Sequence, residues 1–178
     1  MHEDYDIDWK INYGNIKIFD VADGPGIRIA IYVSGCRVMC EGCHNKEAWD
    51  FNFGEKFTKE TMGHIIHDLK QDTISGFSIL GGEPLDPRNR SDVMNMIEFV
   101  KRDVPNKTIW LWTSYTIEDI VEKNIIPRNI LEMIDVIVDG KFILSERDVS
   151  LKFRGSRNQR VIDVKKYLKK EENYIFCD

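Results

Sequence analysis

Three cysteines lie within eight residues of this sequence, at Cys36, Cys40 and Cys43, whereas the fourth, Cys177, is close to the C-terminus. Thiolates are soft ligands that suit zinc, copper(I) and iron–sulfur clusters. Three ligands are one fewer than a closed structural zinc site takes. They are also one fewer than a four-iron cluster needs, so one iron would stay open to an exogenous ligand. The spacing therefore indicates a metal or redox centre with an open coordination position.

A zinc site completed by His44 or Cys177 is the main alternative for these cysteines. Zinc ligand pairs usually come from two separated segments, and His44 directly follows Cys43, so joint chelation would be strained. Cys177 has no candidate ligand near it in the sequence and is better interpreted as a buried or free thiol. Three inert buried thiols are a further, weaker alternative.

A second loop with chemical potential is Gly81-Gly82-Glu83-Pro84. Two successive glycines let the backbone approach a ligand closely and expose its amide and carbonyl groups. Pro84 then stiffens the exit from the loop. In isolation this segment would be an ordinary strand-to-helix turn, so its interest depends on what lies beside it.

Alternating strands and helices must position these loops. Apolar runs rich in branched residues predict six strands, at Ile16–Phe19, Arg28–Ser34, Phe77–Leu80, Thr108–Thr113, Val136–Asp139 and Arg160–Val164. Helical spacing follows Thr58 and Ser91, and Thr116 with Asp119 resembles a capping box that starts a third helix.

The alternation predicts an α/β fold with a mainly parallel sheet. A closed eightfold barrel takes about 250 residues, so this chain suits an open sheet or a partial βα barrel. In both cases ligands gather at the carboxyl ends of the strands. The cysteine loop, the Gly81 loop and Asp139-Gly140 each follow a predicted strand, and we expect them to share one rim.

Composition limits the class of protein. The chain has 178 residues, 42% of them hydrophobic, and no linker or repeat divides it, so residues 1–178 are predicted to form one domain. The formal charge of -5 disfavours nucleic acid as the main partner. No apolar run approaches eighteen residues, and the acidic start, Met1-His2-Glu3-Asp4, is unlike a signal peptide. We expect a cytoplasmic protein that does not bind membranes.

The motif C-x3-C-x2-C resembles the cluster motif of the radical S-adenosylmethionine enzymes. Its surroundings are similar to the glycyl-radical activating enzymes and, more closely, to the anaerobic ribonucleotide reductase activating proteins. The similarity runs in order from about Asn15 to Val164. It is carried by Asp23-Gly24-Pro25-Gly26-Ile27-Arg28, Val33-Ser34-Gly35-Cys36, Cys40-Glu41-Gly42-Cys43-His44-Asn45-Lys46, Trp49, Gly81-Gly82-Glu83-Pro84-Leu85, Trp110-Leu111-Trp112-Thr113, Val138-Asp139-Gly140-Lys141-Phe142 and Arg154-Gly155-Ser156-Arg157-Asn158-Gln159-Arg160.

The resemblance implies a radical-S-adenosylmethionine partial barrel and an activase reaction. Cys36, Cys40 and Cys43 would hold a [4Fe–4S] cluster whose unique iron binds S-adenosylmethionine. An electron from a flavodoxin or ferredoxin would cleave that cofactor, and the resulting 5′-deoxyadenosyl radical would take a hydrogen atom from a glycine in the large subunit of the anaerobic reductase. No side-chain acid or base is implied. An activase for another glycyl-radical enzyme, a small-molecule radical enzyme and a non-enzymatic zinc module are the alternatives.

The resemblance also implies contacts with the cofactor and the partner. The methionine end of the cofactor would be contacted by backbone oxygens and the Glu83 region of the loop Gly81, Gly82, Glu83 and Pro84. The adenine end would have backbone contacts with Gly42, Cys43 and His44. Candidate rim or partner contacts are Asp23, Gly24, Asp139, Arg154 and Arg157. The alternation of Trp110 and Trp112 places both on one face of their strand, and packing against helices is the expected arrangement.

Overall fold

The structure is a computed structural model, and it describes residues 5–177. The acidic start at residues 1–4 therefore lies outside the described part of the chain. Within it, eight strands form a single sheet: β1 (Asn12–Asp20), β2 (Ile27–Val33), β3 (Glu55–Lys56), β4 (Ile74–Gly81), β5 (Thr108–Trp112), β6 (Val136–Asp139), β7 (Arg160–Asp163) and β8 (Ile175–Cys177). The helices are α1 (Lys59–Leu69), α2 (Arg90–Asp103), α3 (Ile117–Glu122), α4 (Arg128–Leu131) and α5 (Val164–Leu168).

The sheet is open and has the order β3-β1-β2-β4-β5-β6-β7-β8. The central strands β2, β4, β5 and β6 pair in parallel. The outer pairings, of β1 with β2 and β3 and of β7 with β6 and β8, are antiparallel. The prediction of a mainly parallel sheet is thus correct for the centre and wrong for both sides. The connection from β1 to β2, residues 21–26, is too short for the crossover that parallel pairing requires.

The two faces of the sheet differ in what covers them. One register row across five strands is wholly buried and joins the core that the helices complete; it consists of Ile31, Ile79, Leu111, Ile137 and Ile162. The opposite face carries a smaller apolar cluster around Trp110, Val138 and Val161. We call this second side the open face.

Trp110 and Trp112 both belong to the open face, so the expectation that they pack against helices is wrong. Trp110 stacks edge-on against Phe153, and the Trp112 indole N–H donates to the Phe153 carbonyl at 2.8 Å. Alternation along the strand correctly placed the two rings on one side. Only the packing of the whole sheet determines which side the helices cover.

Helix starts follow local signals in two cases out of three. Thr58 and Thr116 each cap a helix by accepting a backbone N–H three residues on, at 3.2 Å in both cases. The third predicted start, at Ser91, is wrong, because α2 begins at Arg90 and Asn89 occupies the cap position without a side-chain capping bond. The Asn89 side chain points elsewhere, into the loops described next.

Candidate functional site

The cysteine loop leaves the end of β2 and folds back through a tight turn. The Cys43 N–H donates to the Cys40 carbonyl at 3.1 Å, and Gly42 between them has a φ of 72°. A positive φ at the third position of such a turn favours glycine. This explains locally why Gly42 lies between the last two cysteines of the motif.

The start of the loop is fixed by the 3₁₀ helix Lys46–Trp49. The Gly35 N–H donates to the Ala48 carbonyl at 2.8 Å, and the Cys36 N–H donates to the Trp49 carbonyl at 3.2 Å. The segment that follows the three cysteines therefore pairs with the segment that precedes them.

The Gly81 loop packs directly on this backbone. The Gly82 N–H donates to the Val33 carbonyl at 2.7 Å, and the Glu83 N–H donates to the Gly35 carbonyl at 2.9 Å. A Cβ atom on Gly82 would lie 2.5 Å from the Gly35 carbonyl oxygen, closer than real contacts allow. The two loops therefore touch backbone to backbone, and this approach requires glycine at position 82.

The Glu83 carboxylate is buried, and both of its oxygens accept hydrogen bonds from other groups of the protein. One oxygen accepts from the Leu85 N–H at 2.9 Å and from the Thr113 hydroxyl at 2.7 Å. The other accepts from the Ser114 N–H at 2.8 Å and from the Ser114 hydroxyl at 2.5 Å. Its side chain connects the ends of β4 and β5, so a ligand would meet the Glu83 backbone rather than its charge.

Asn89 is a site residue that the sequence did not reveal. Its side-chain amide donates to the carbonyls of Ser34, Gly35 and Glu83 at 3.0, 3.1 and 3.0 Å. It therefore joins the cysteine loop to the Gly81 loop from beneath. No local pattern marks this role, since an asparagine just before a helix usually indicates an N-cap.

A cavity of about 900 Å³ on the open face brings most of the candidate residues together. Strand residues of the open face, among them Tyr32, Leu80 and Trp112, form part of its wall. The predicted residues that line it are Asp23, Cys36, Cys40, Gly42, Cys43, His44, Gly81, Gly82, Glu83 and Arg154. Gly24, Pro84, Asp139 and Arg157 do not line it.

Asp139 and Arg157 each pair with another charged residue of the protein. The buried Asp139 carboxylate accepts from the Ile117 N–H at 2.9 Å and pairs with Arg160 at 2.6 Å. Arg160 also pairs with Glu118, and this hydrogen bond is the main reason why the pKa of Glu118 is lowered. Arg157 is exposed and pairs with Asp148 at 3.1 Å.

Asp23 lies in the cavity wall and accepts a short hydrogen bond from the Tyr32 hydroxyl. Lys17 donates to the same hydroxyl at 2.8 Å. Burial raises the pKa of Asp23, and burial followed by the bond to Asp23 raises the pKa of Tyr32. Tyr32 and Lys17 are further wall residues that sequence reasoning missed, although their alternation along strands placed them on the open face.

All three clustered cysteines line this cavity, and thiolates are the ligands that soft metal groups prefer. Burial raises the pKa of Cys36 and of Cys40, because desolvation penalises the thiolate more than the nearby donors stabilise it. A bound metal removes that penalty by coordinating the thiolate. Cys177 lies in β8 beside Val161 and does not line the cavity, so it is not placed to complete a site there. Among the described residues, no three His, Cys, Asp or Glu side chains are grouped as a ready-made single-ion site.

Comparison with known proteins defines the class. Residues 22–162, which include all three clustered cysteines and the Gly81 loop, match a family model described as a 4Fe-4S single cluster domain. No helix in the described part of the chain has the length and apolar character needed to cross a membrane.

The names of curated relatives indicate a narrower class of protein than the family model does. The chain is 42% identical over 151 residues to the anaerobic ribonucleoside-triphosphate reductase-activating protein of Vibrio cholerae, covering 84% of this chain and 96% of the relative. It is 39% identical over 153 residues to the proteins of that name from Escherichia coli K12 and Enterobacteria phage T4, covering 85% of this chain and 97% and 93% of the relatives. The chain belongs to the family of anaerobic ribonucleoside-triphosphate reductase-activating proteins.

Proposed function

We propose that this protein is an iron–sulfur activase that reductively cleaves S-adenosylmethionine and generates a glycyl radical on an anaerobic ribonucleotide reductase. The observation that carries the proposal is that three cysteines and the Gly81 loop line the same cavity on the open face. The names of the relatives support the choice of partner. The open sheet, with this cavity at the strand ends, suits a radical-S-adenosylmethionine partial barrel formed by one domain.

Cys36, Cys40 and Cys43 would hold a [4Fe–4S] cluster. With S-adenosylmethionine bound, this group supplies the electron that cleaves a carbon–sulfur bond into methionine and a 5′-deoxyadenosyl radical. One hydrogen atom would then move from the partner's glycine to the 5′-deoxyadenosyl group, which would leave 5′-deoxyadenosine and a glycyl radical on the partner. The electron would come from a flavodoxin or ferredoxin.

The protein's own groups bind and shield the reactants. Backbone atoms of the Gly81-Gly82-Glu83-Pro84 loop would meet the methionine end, because the Glu83 carboxylate is already engaged. The adenine side of the cofactor would have backbone contacts with Gly42, Cys43 and His44. Among rim candidates, Asp23 and Arg154 line the cavity and would contact cofactor or partner, whereas the buried Asp139 supports the wall through Arg160. Gly24 and Arg157 stay candidates for the partner's surface.

Anaerobic reconstitution tests the metal centre. We expect about four irons and four sulfides per chain, and loss of this content in Cys36→Ala. Cys177→Ala is the control, since it removes a thiol that is partly buried but lies outside the cavity. One retained zinc and no iron in the wild type would contradict the proposal and favour a zinc module.

Activity with the partner tests the substrate. Reduced protein, S-adenosylmethionine and the anaerobic reductase should give 5′-deoxyadenosine and a glycyl radical detected by electron paramagnetic resonance. Cleavage of the cofactor without that radical would reject the reductase as the partner. It would favour another glycyl-radical enzyme or a small-molecule substrate.

A further inference from the structure

A long loop between β6 and β7 borders the cavity on the open face. We call residues 141–157 the rim loop. Arg147, Val149 and Leu151 are among its residues that line the cavity, and Val149 is nevertheless 87% exposed. A residue that lines a cavity and also stays open to solvent lies at the mouth, where a macromolecule would make its first contact.

Contacts within the rim loop hold it in one shape. Its two arms form an antiparallel bridge between Arg147 and Ser156, and Asp148 pairs with Arg157 at 3.1 Å. Val149 is thus presented by a fixed turn. A binding surface that is already shaped loses less conformational entropy on association than a loose segment does.

Phe153 attaches the same loop to the open face. Its ring lies edge-on against Trp110, with the ring centres 5.1 Å apart, and its carbonyl accepts the Trp112 indole N–H at 2.8 Å. The base of the rim loop is therefore fixed to β5, whereas Val149 remains available to a partner.

The rim loop is cationic and apolar on its exposed side. It contains five Lys or Arg residues and two acidic residues, a net charge of +3, although the whole chain carries -5. The exposed Arg147 guanidinium has no hydrogen-bond or ion-pair partner within residues 5–177. Ile143 and Leu144 are exposed apolar residues in addition to Val149. Apolar side chains beside arginine are typical of the surfaces that bind other proteins.

We propose that the rim loop is the docking element for the partner reductase, with Val149 packing on an apolar spot and Arg147 pairing with a carboxylate beside the partner's glycine. The inference rests on the proposed function, because that function requires the glycine to enter the cavity that this loop borders. The surface around the glycine must then face the rim loop. Charge complementarity predicts that this surface of the reductase is acidic.

Binding of the cluster-loaded protein to the anaerobic reductase tests the inference, measured by surface plasmon resonance without oxygen. Val149→Asp should raise the Kd at least about tenfold, because it places a carboxylate in an apolar contact beside an acidic surface. Arg147→Glu should slow association and reduce its dependence on salt. The matched controls are Val121→Asp and Lys165→Glu, at exposed positions of α3 and α5 that do not line the cavity, and both should bind as the wild type does.

Glycyl-radical formation provides a second readout. With dithionite as the reductant, effects on a flavodoxin or ferredoxin do not enter, and Val149→Asp should raise the KM for the reductase. Cleavage of S-adenosylmethionine without the reductase is measured alongside. An equal loss of that cleavage in Val149→Asp would show that the loop acts on the cofactor instead and would overturn the inference.

Wild-type affinity for the reductase in both Val149→Asp and Arg147→Glu would also overturn it. Absence of the cluster, or of cofactor cleavage, in the wild-type protein would instead overturn the proposed function.

Discussion

The hydroxyl of Thr113 donates a 2.7 Å hydrogen bond to the carboxylate of Glu83, so that the ends of β5 and β4 are joined beneath the cavity. Glu83 is only 3% exposed, and Ser114 and Leu85 supply its other donors. An acidic residue in a cavity-lining loop thus acts mainly on the loop itself. Its charge is balanced by several convergent donors, which stabilise a buried carboxylate.

We expect Glu83→Gln to destabilise the protein by about 1–3 kcal/mol, because the amide nitrogen cannot accept from Ser114 or Thr113. Binding of S-adenosylmethionine should weaken as the loop loosens. Urea unfolding and equilibrium dialysis measure the two effects. Glu98→Gln, at an exposed position of α2, should change neither. Full stability in Glu83→Gln would contradict this role.

Asn89→Asp should be more disruptive than its size suggests. The new carboxylate would face the carbonyl oxygens of Ser34, Gly35 and Glu83, where the amide now donates three hydrogen bonds. We expect a loss of at least about 2 kcal/mol in unfolding free energy and a lower iron content after reconstitution. Asn106→Asp, at an exposed position, serves as the comparison. Equal iron content in both variants would show that Asn89 does not position the cysteine loop.

Gly82→Ala should separate the two loops. The added Cβ would lie 2.5 Å from the Gly35 carbonyl oxygen, so the backbone must shift. We expect destabilisation of about 1–3 kcal/mol, as for other cases of overpacking, and impaired cluster loading. At Gly155 the tightest contact of an added Cβ would be with the Phe142 ring, 3.2 Å away, and that ring can move; the Gln159 Oε1 atom, at 3.7 Å, is at an ordinary contact distance. In thermal unfolding, Gly82→Ala should therefore lower the melting temperature more than Gly155→Ala does.

The pairing of Arg160 with Glu118 predicts a small acid dependence of stability. Because Arg160 lowers the pKa of Glu118, the stabilisation is complete above the ordinary glutamate pKa, about 4.3, and is lost as the pH falls through the lower folded value. The Glu118 side chain is 41% exposed, so solvent screening limits the effect to less than about 1 kcal/mol. Glu118→Gln should flatten the unfolding free energy between pH 5 and pH 3 by about that amount. An unchanged slope would contradict the assignment.

Local chemistry accounts for the elements that were predicted well. Thr58 and Thr116 cap their helices because the donor that each satisfies lies three residues away. The strand at Val136–Asp139 was predicted with its exact bounds, since a short branched run ends at Asp139-Gly140. The short strands β3 and β8 were missed because their few residues carry no period of their own, and pairing with β1 and β7 defines them.

The sequence by itself determined the clustered thiols, the family and the loops that meet at the strand ends, because these depend on residue type, spacing and order along the chain. Only the tertiary structure decided that Asn89 joins those loops, that the Glu83 charge turns inward, and that the Trp49 N–H has no partner within residues 5–177. The reason is that Asn89 lies 54 residues from Gly35 and Glu83 lies 30 residues from Thr113. Local periodicity does not report which distant polar groups meet once the sheet has assembled.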